Sequence, residues 1–241
     1  MQQHMKKIII GVAALIVVAV GAFYLYALTR DDAPAKLDSG SLDSALATTT
    51  VAGDTPDTTT SDTVAPSTPD GAWTIVGANS TVGYRIQEVL GGVDVEAAGR
   101  TDQVTGSLTI AGTEATAGEF SVDMASIKSS DDRRDGQFRG RIMSVEEFPT
   151  ATFVLTAPID FGAVPTEGTP ITATATGDLT LRGVTRSVTF EVEARLEGGR
   201  IGVLGSIPIL FSDYEIPDPS NVAAKVEDNG LLEFVLVFER A

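Results

Sequence analysis

From residue 71 to the C-terminus, apolar residues alternate with polar residues in short runs that Gly, Pro and Asp interrupt. Alternation with a period of two places apolar side chains on one face of an extended strand, as Val82, Tyr84 and Ile86 illustrate. The Val, Ile, Thr and Phe residues of these runs also favour strands. The pattern predicts strands over residues 73–76, 81–88, 104–111, 117–123, 151–156, 171–181, 187–196, 200–210 and 231–239.

The last of these runs, residues 231–239, is apolar on nearly both faces, which predicts a central or closing strand. Gly-Gly and Asn-Gly pairs between runs favour tight hairpin turns. No long helical period occurs in this part of the sequence, although residues 126–147 leave room for one short helical or irregular segment. Many short strands separated by turns predict an all-β domain over residues 71–241, built as a sandwich or a barrel.

The N-terminal part of the chain has a different pattern, with an uninterrupted apolar run over residues 8–28. A run of about 20 apolar residues is long enough to cross a bilayer as a helix. Lys6 and Lys7 precede it, which predicts that residues 1–7 are a cytoplasmic tail and that the C-terminal domain lies outside the cytoplasm. The alternative is a cleaved signal peptide, whose apolar core is usually shorter than this run.

Residues 29–70 are rich in Thr, Ser, Asp, Ala and Pro, and their few large apolar residues follow no period. Such a segment buries too little apolar surface to offset the entropy lost on ordering, so it is predicted to be a disordered linker. A flexible linker of this length would have a root-mean-square span of roughly 35 Å. The domain is therefore expected to work a few nanometres from the membrane.

The amino-acid composition excludes several kinds of disulfide, metal and catalytic site in the domain. The chain has no cysteine, so a disulfide framework, a thiolate metal site and a cysteine nucleophile are excluded. The single histidine is His4, in the predicted tail, which leaves none in the domain for a Ser-His-Asp triad or a histidine-based metal site. The net charge of −16 argues against nucleic-acid binding and favours a monomer. No cofactor, no metal site and no catalytic residue are predicted.

Carboxylate pairs are the remaining candidates for catalysis. Glu191 and Glu193 stand two residues apart in a predicted strand, and Glu146 and Glu147 are adjacent. Glycosidase pairs need set separations that a sequence does not fix, and carboxylates on the polar face of a strand usually form a solvated surface. A hydrolase is therefore the weakest of the functional interpretations.

Five short stretches extend over nearly the whole predicted domain. They are residues 79–84, 134–139, 145–153, 177–185 and 211–214. These stretches resemble the sequence blocks of the YceI-like proteins. Their order and spacing along the chain make the similarity more specific than any single short block.

The resemblance implies an extended antiparallel lipocalin-like barrel of about eight strands. It also implies an exported, non-enzymatic domain that holds a long isoprenoid or another apolar chain inside the barrel. The sequence departs from the family at the positions of its two motif histidines, which are Gln137 and Arg182 here. Ile142 and Met143 stand where paired aromatic residues are common, so the recognition of a head group need not follow the family.

If the alternation holds, one set of apolar side chains points into the barrel. In a small closed barrel these side chains can fill the core, and in a lipocalin-like barrel some of them line a tunnel. The resemblance favours the tunnel, with Phe138, Ile142 and Met143 as its mouth or lid. The predicted lining consists of Val82, Tyr84, Ile86, Phe120, Val122, Phe153, Leu155, Leu179, Leu181, Phe190, Val192, Phe234, Leu236 and Phe238.

Basic residues near the predicted mouth are candidates for contacts with a ligand head group. Guanidinium groups suit phosphate geometry, so the diphosphate of a polyprenyl lipid would be a fitting partner. The alternative is a surface network in which neighbouring aspartates neutralise these arginines, and such surface ion pairs are common and weak. The candidates are Arg134, Arg139, Arg141 and Arg182.

Two functional hypotheses follow. The first is a membrane-anchored, extracytoplasmic carrier that binds an isoprenoid lipid, a quinone tail or a similar amphiphile through burial of its apolar chain. The second is a non-catalytic interaction domain on the cell surface, with a filled barrel whose outer face binds a protein or a wall polymer. A packed interior would favour the second hypothesis.

Overall fold

The computed structural model describes residues 33–47, 68–221 and 224–241, together with Val18 and Gly21. Within these residues, no helix combines the length and the apolar character needed to cross a bilayer. The predicted membrane segment, residues 8–28, lies outside the described residues apart from Val18 and Gly21.

From residue 33 onward, the described residues form twelve strands and two short α-helices. The helices are α1 (Ser39–Leu46) and α2 (Asp132–Gln137), and α2 continues into a π-helical turn, Phe138–Ile142. This second segment confirms the short helical stretch predicted within residues 126–147. The strands are β1 (Gly71–Ile75), β2 (Thr81–Leu90), β3 (Val93–Thr101), β4 (Val104–Ala111), β5 (Glu114–Asp123), β6 (Thr150–Leu155), β7 (Ile159–Asp160), β8 (Ile171–Leu181), β9 (Val184–Glu197), β10 (Arg200–Leu210), β11 (Ala224–Val226) and β12 (Asn229–Arg240).

Eight of the strands close into an antiparallel barrel, which confirms the predicted fold class. Around the ring the order is β1, β4, β5, β6, β8, β9, β10 and β12, and β12 pairs with β1 to complete the circle. The strand β2 also pairs with β12, beyond the end of β1, and β3 and β11 pair with β2. The prediction of a closing strand at residues 231–239 is also confirmed, since β12 closes the ring.

The strands β1 and β2 share one edge of β12, and a 3-10 turn at Gly77–Asn79 separates them. Ser80 repairs the interrupted ladder, because its hydroxyl accepts a hydrogen bond from the Val237 amide (3.0 Å) and donates one to the Val76 carbonyl (2.8 Å). Without that hydroxyl, a buried backbone amide would lose its partner.

The prediction of a disordered linker over residues 29–70 is wrong for residues 33–47. These residues form an extended arm and α1, which pack on the outside of the barrel. A capping box fixes the start of α1. The Asp38 carboxylate accepts a hydrogen bond from the Ser41 amide (2.9 Å), and the Ser41 hydroxyl accepts one from the Asp38 amide (3.3 Å). Residues 29–32 and 48–67 of the predicted linker lie outside the described residues. Residues 68–70 are described and pack against the barrel, where the Pro69 carbonyl accepts a hydrogen bond from the Trp73 indole (2.8 Å).

The burial of a few leucines explains why the arm and α1 are ordered. Leu42 and Leu46 are fully or almost fully buried against Val235 and Val237, which point outward from β12. Gly202 on β10 leaves space for the helix, since a Cβ there would overlap both leucine side chains. The helix therefore covers the outer apolar face of β12, and this is why β12 is apolar on both faces.

A buried carboxylate ties the arm to the barrel wall. The side chain of Glu233 is 1% exposed and forms ion pairs with Arg100 (2.7 Å) and Arg85 (3.3 Å). It also accepts a hydrogen bond from the Leu37 amide (3.3 Å). The same two guanidinium groups donate to backbone carbonyls of the arm, at Pro34 and Ala35, so the arm completes the coordination of both arginines.

Candidate ligand-binding interior

The inward faces of the strands enclose two apolar cavities, which we call the first and the second chamber. The first chamber has a volume of about 130 Å³ and lies at the end of the barrel that α2 covers. The second has a volume of about 80 Å³ and lies toward the opposite end, beside Pro69, Phe161 and Pro165. Both exceed the space that one water molecule occupies, so the interior of the barrel is not packed solid.

Every side chain that the sequence predicted to line the barrel faces one of these chambers. Phe120 and Phe234 line both. The first chamber is otherwise lined, among the predicted residues, by Val82, Tyr84, Ile86, Val122, Leu179 and Leu181. The second is lined by Phe153, Leu155, Phe190, Val192, Leu236 and Phe238. That these residues contact a ligand remains a prediction.

Four phenylalanine rings contact one another in a circuit where the two chambers adjoin, and we call them the phenylalanine partition: Phe120, Phe153, Phe190 and Phe234. They come from β5, β6, β9 and β12. Ring centroids lie 5.4 Å apart for Phe120 and Phe153, and 5.4 Å apart for Phe153 and Phe190. The circuit is completed at 6.0 Å from Phe190 to Phe234 and at 5.6 Å from Phe234 to Phe120. Each of these separations is within the range of direct aromatic contact.

Two glycines determine where the phenylalanine partition lies along the barrel axis. Gly205 is the strand partner of Phe234, and a Cβ at Gly205 would overlap the Phe234 ring. A Cβ at Gly177, which pairs with Leu155, would likewise overlap the Phe153 ring. Each ring therefore rests on a backbone position that only glycine leaves open, and the rings are held at defined places along the barrel.

The mouth of the first chamber is covered by residues 132–143, which we call the lid. Phe138 stacks on Tyr84 with ring centroids 5.1 Å apart, and Ile142 and Met143 line the same chamber. These are the three residues predicted for the mouth. Burial raises the pKa of the Tyr84 hydroxyl, and the nearby carboxylates of Asp135 and Glu88 raise that pKa further. The hydroxyl therefore stays neutral at physiological pH and presents no charge to the chamber.

Polar contacts attach the lid at both of its ends. Arg134 forms an ion pair with Glu88 on β2 (3.0 Å), and Asp135 accepts from the Ser129 hydroxyl (2.7 Å). Arg141 donates to the carbonyls of Asp218 (2.8 Å) and Pro219 (3.0 Å), in the loop that leads to β11.

The structure does not bring the four predicted head-group arginines together. Arg134 alone lines the first chamber. Arg141 is engaged by the 218–219 carbonyls, and Arg182 donates to the Glu215 carbonyl (2.7 Å) with its guanidinium 5.8 Å from the centre of the Phe148 ring. Arg139 does not line either chamber. A contact of the head group with Arg134 remains open, and a four-arginine cluster is not formed.

Some lining residues were missed by the sequence interpretation. Ile207 and Ile209 alternate along β10, so their period of two could have found them. Ile216 and Pro219 lie in an irregular segment, where the sequence has no periodicity from which an inward side chain could be predicted.

The carboxylates considered for catalysis do not form a site. Glu146, Glu147 and Glu191 are exposed, and Glu193 accepts a hydrogen bond from Ser39 of α1 (2.8 Å). Among the described residues, no three Asp, Glu or His side chains are grouped so that they could hold a metal ion.

Comparison with known proteins identifies the domain. The family model of the YceI-like domain matches residues 73–238, from β1 to β12. The chain belongs to the YceI-like family. This YceI-like barrel contains both chambers and the lid, and the family resemblance inferred from the short sequence blocks is confirmed. No curated protein sequence matches the chain.

Two solved structures share the fold of this YceI-like protein. One is BcnA of Burkholderia cenocepacia, with 23% identity and a TM-score of 0.54, covering 68% of this chain and 98% of BcnA. The other is described as a polyisoprenoid binding domain from Saccharophagus degradans implicated in plant cell wall breakdown. It has 21% identity and a TM-score of 0.57, and the match covers 70% of this chain and 98% of that one. At these identities the likeness establishes the fold.

Proposed function

We propose that this YceI-like protein binds an isoprenoid lipid, a quinone tail or a similar amphiphile, and holds its apolar chain inside the barrel without catalysing a reaction. The observation that carries the proposal is the first chamber, an apolar cavity whose lining comes from strands on opposite sides of the ring and from the lid. Apolar surface removed from water contributes about 25 cal/mol per Å², so a buried chain supplies affinity without a specific polar contact.

The lid supplies the entrance in this proposal. Its attachment to the barrel depends on two arginines and on one stacked ring pair. The Arg134–Glu88 ion pair is largely buried, whereas the hydrogen bond from Arg141 to Asp218 is exposed, so the lid can part from the barrel most easily at its Arg141 end. The head group would then lie beside Arg134, at the rim of the chamber that the apolar chain fills.

The proposed setting is an extracytoplasmic monomer anchored by residues 8–28. Only residues 29–32 separate that apolar run from the docked arm, so the barrel would work close to the bilayer rather than nanometres away from it. The arm contacts Arg85 near the first chamber and continues as α1 toward Gly202, in the direction of the second. The anchor would therefore lie on the first-chamber side, where a lipid chain leaving the bilayer meets the lid.

Filling the first chamber is the direct test of this function. Ala151 is buried in its wall, and the substitution Ala151→Leu adds apolar volume there, at an expected cost of about 1–3 kcal/mol in stability. Ala117 is exposed on β5, so Ala117→Leu is a matched control. The chain from residue 33 onward, purified without detergent and examined by native mass spectrometry, should carry one bound amphiphile in the wild type and in the control, and little or none in Ala151→Leu.

A wild-type protein that carries no lipid, and takes up neither added isoprenoid alcohols nor quinones, would contradict the proposal. That outcome would favour the surface-interaction hypothesis, in which the small chambers are packing defects of a filled barrel. Equal occupancy in Ala151→Leu would show that the bound lipid lies outside the first chamber.

A further inference from the structure

The phenylalanine partition is more than core filling, because cavities remain on both sides of it. A core packed for stability alone would place side-chain volume in these spaces, since each cavity costs free energy. Here the volume is concentrated in one layer of rings, and the walls on either side are apolar. Among the described residues, Phe120 and Phe234 are the two that line both chambers, so their rings lie where the chambers adjoin.

The barrier consists of side chains, not of backbone. The strands that carry the rings are continuous members of the barrel ring, whereas a phenylalanine ring changes place by rotation about its side-chain bonds. Phe234 lies over Gly205 and Phe153 lies over Gly177, so both rings rest against a neighbouring strand. The contacts of Phe120 with Phe234 and of Phe153 with Phe190 extend the layer of rings across the interior. An apolar chain that enters past the lid meets Phe120 and Phe234 before it can reach the second chamber.

We propose that the phenylalanine partition is a chain stop, which determines the length of apolar chain that the barrel accepts. This inference rests on the proposed function. The tail of a bound chain ends against Phe120 and Phe234 in the first chamber. The second chamber is an extension that becomes available only when a ring of the partition is removed or turned aside.

The position of the tail can be measured by photocrosslinking. The probe is a series of isoprenoid alcohols of increasing length, each with a diazirine at the tail end, added to the full chain in lipid nanodiscs. Peptide mapping then distinguishes adducts on residues that line only the first chamber, such as Leu181 and Ile207, from adducts on residues that line only the second, such as Val192 and Leu236. In the wild type we expect the tail adducts of every probe in the first chamber.

Substitutions in the phenylalanine partition should allow the tail of a bound isoprenoid probe to enter the second chamber. Phe234→Ala removes a ring from the barrier, and Phe120→Leu is a milder second variant that keeps most of the buried volume. Leu196→Ala is the matched control, because it deletes buried apolar volume from the second chamber away from the partition. For the longer probes we expect the ratio of second-chamber to first-chamber adducts to rise by roughly tenfold in the partition variants, and to stay at the wild-type value in Leu196→Ala.

The outcomes separate the chain stop from the proposed function. Tail adducts on Val192 or Leu236 in the wild type, at the level found in the partition variants, would overturn the chain stop and leave lipid binding intact. An absence of adducts in both chambers, for every probe, would overturn lipid binding and the chain stop with it. Phe120→Leu keeps the test decisive if Phe234→Ala does not fold.

Discussion

Single glycines determine where the rings of the partition lie. Gly205 faces Phe234 across a strand pair, and the ring occupies the space that a side chain at residue 205 would need. Gly118 on β5 is a useful contrast, since a Cβ there would meet Leu108 at an ordinary van der Waals distance of 3.4 Å. Both glycines lie in strands, but the Phe234 ring occupies the Cβ space at Gly205, whereas that space is open at Gly118.

Gly205→Ala should therefore lower the free energy of unfolding by about 1–3 kcal/mol, because the Phe234 ring must move. Gly118→Ala should leave it unchanged or raise it slightly, since alanine loses less backbone entropy on folding. Urea unfolding of both variants checks the prediction. Equal effects at the two positions would show that the ring does not depend on the space above Gly205.

The sequence predicted the members of the partition but not the partition itself. Each of the four phenylalanines stands at an inward position of an alternating run, so the period of two was enough to identify it. Their mutual contact depends on the register of β5 against β6 and on the closure of the ring, which brings β12 close to β5. Local periodicity carries no information on either.

At the scale of elements, α1 is the largest departure from what the sequence indicated. Its apolar residues are few and stand in a segment rich in Ser, Ala and Thr, so no helical period was evident. The helix is stable because Leu42 and Leu46 are buried by β12, which lies almost two hundred residues later. Tertiary burial of this kind outweighs weak intrinsic propensity. The strand β3 was missed for a related reason, since the small residues Ala97, Ala98 and Gly99 weaken its strand signal.

Leu42→Ala should destabilise the protein by about 2–5 kcal/mol, as expected for a fully buried leucine. Ser44→Ala, an exposed change on the same helix, should stay within about 0.5 kcal/mol of the wild type. Thermal and urea unfolding of the full chain distinguish these expectations. A negligible effect of Leu42→Ala would mean that α1 is not docked in solution.

At the scale of the whole molecule, the N-terminal arm and α1 are joined to the barrel in two ways, by non-covalent contacts and by the polypeptide chain itself. The arm and α1 are held by Glu233, by the outer face of β12 and by an ion pair between Asp43 and Arg195. The covalent path, residues 48–67, returns from the end of α1 to the start of the barrel. A protein that begins at residue 70 would lose the first attachment and expose Val235 and Val237.

Cleavage at a protease site introduced within residues 48–67 should therefore leave the two pieces associated. The N-terminal piece is expected to co-elute with the barrel in gel filtration, because burial of its leucines and the contacts of Glu233 do not require the covalent link. The same cleavage in a Leu42→Asp background should release it, since a buried unpaired charge is strongly unfavourable. Release from the unsubstituted protein would be evidence against a stable docked arm.

The position of β12 after every other strand of the barrel has a consequence for biosynthesis. This strand closes the ring against β1, β2 and β10, and its outer face receives α1, so neither the barrel nor the docked arm can be completed before the residues of β12 are made. A nascent chain that lacks β12 keeps unpaired strand edges and an incomplete core, which are the features that chaperones recognise. The barrel would thus stay incomplete, and both chambers open to solvent, until β12 has been synthesised.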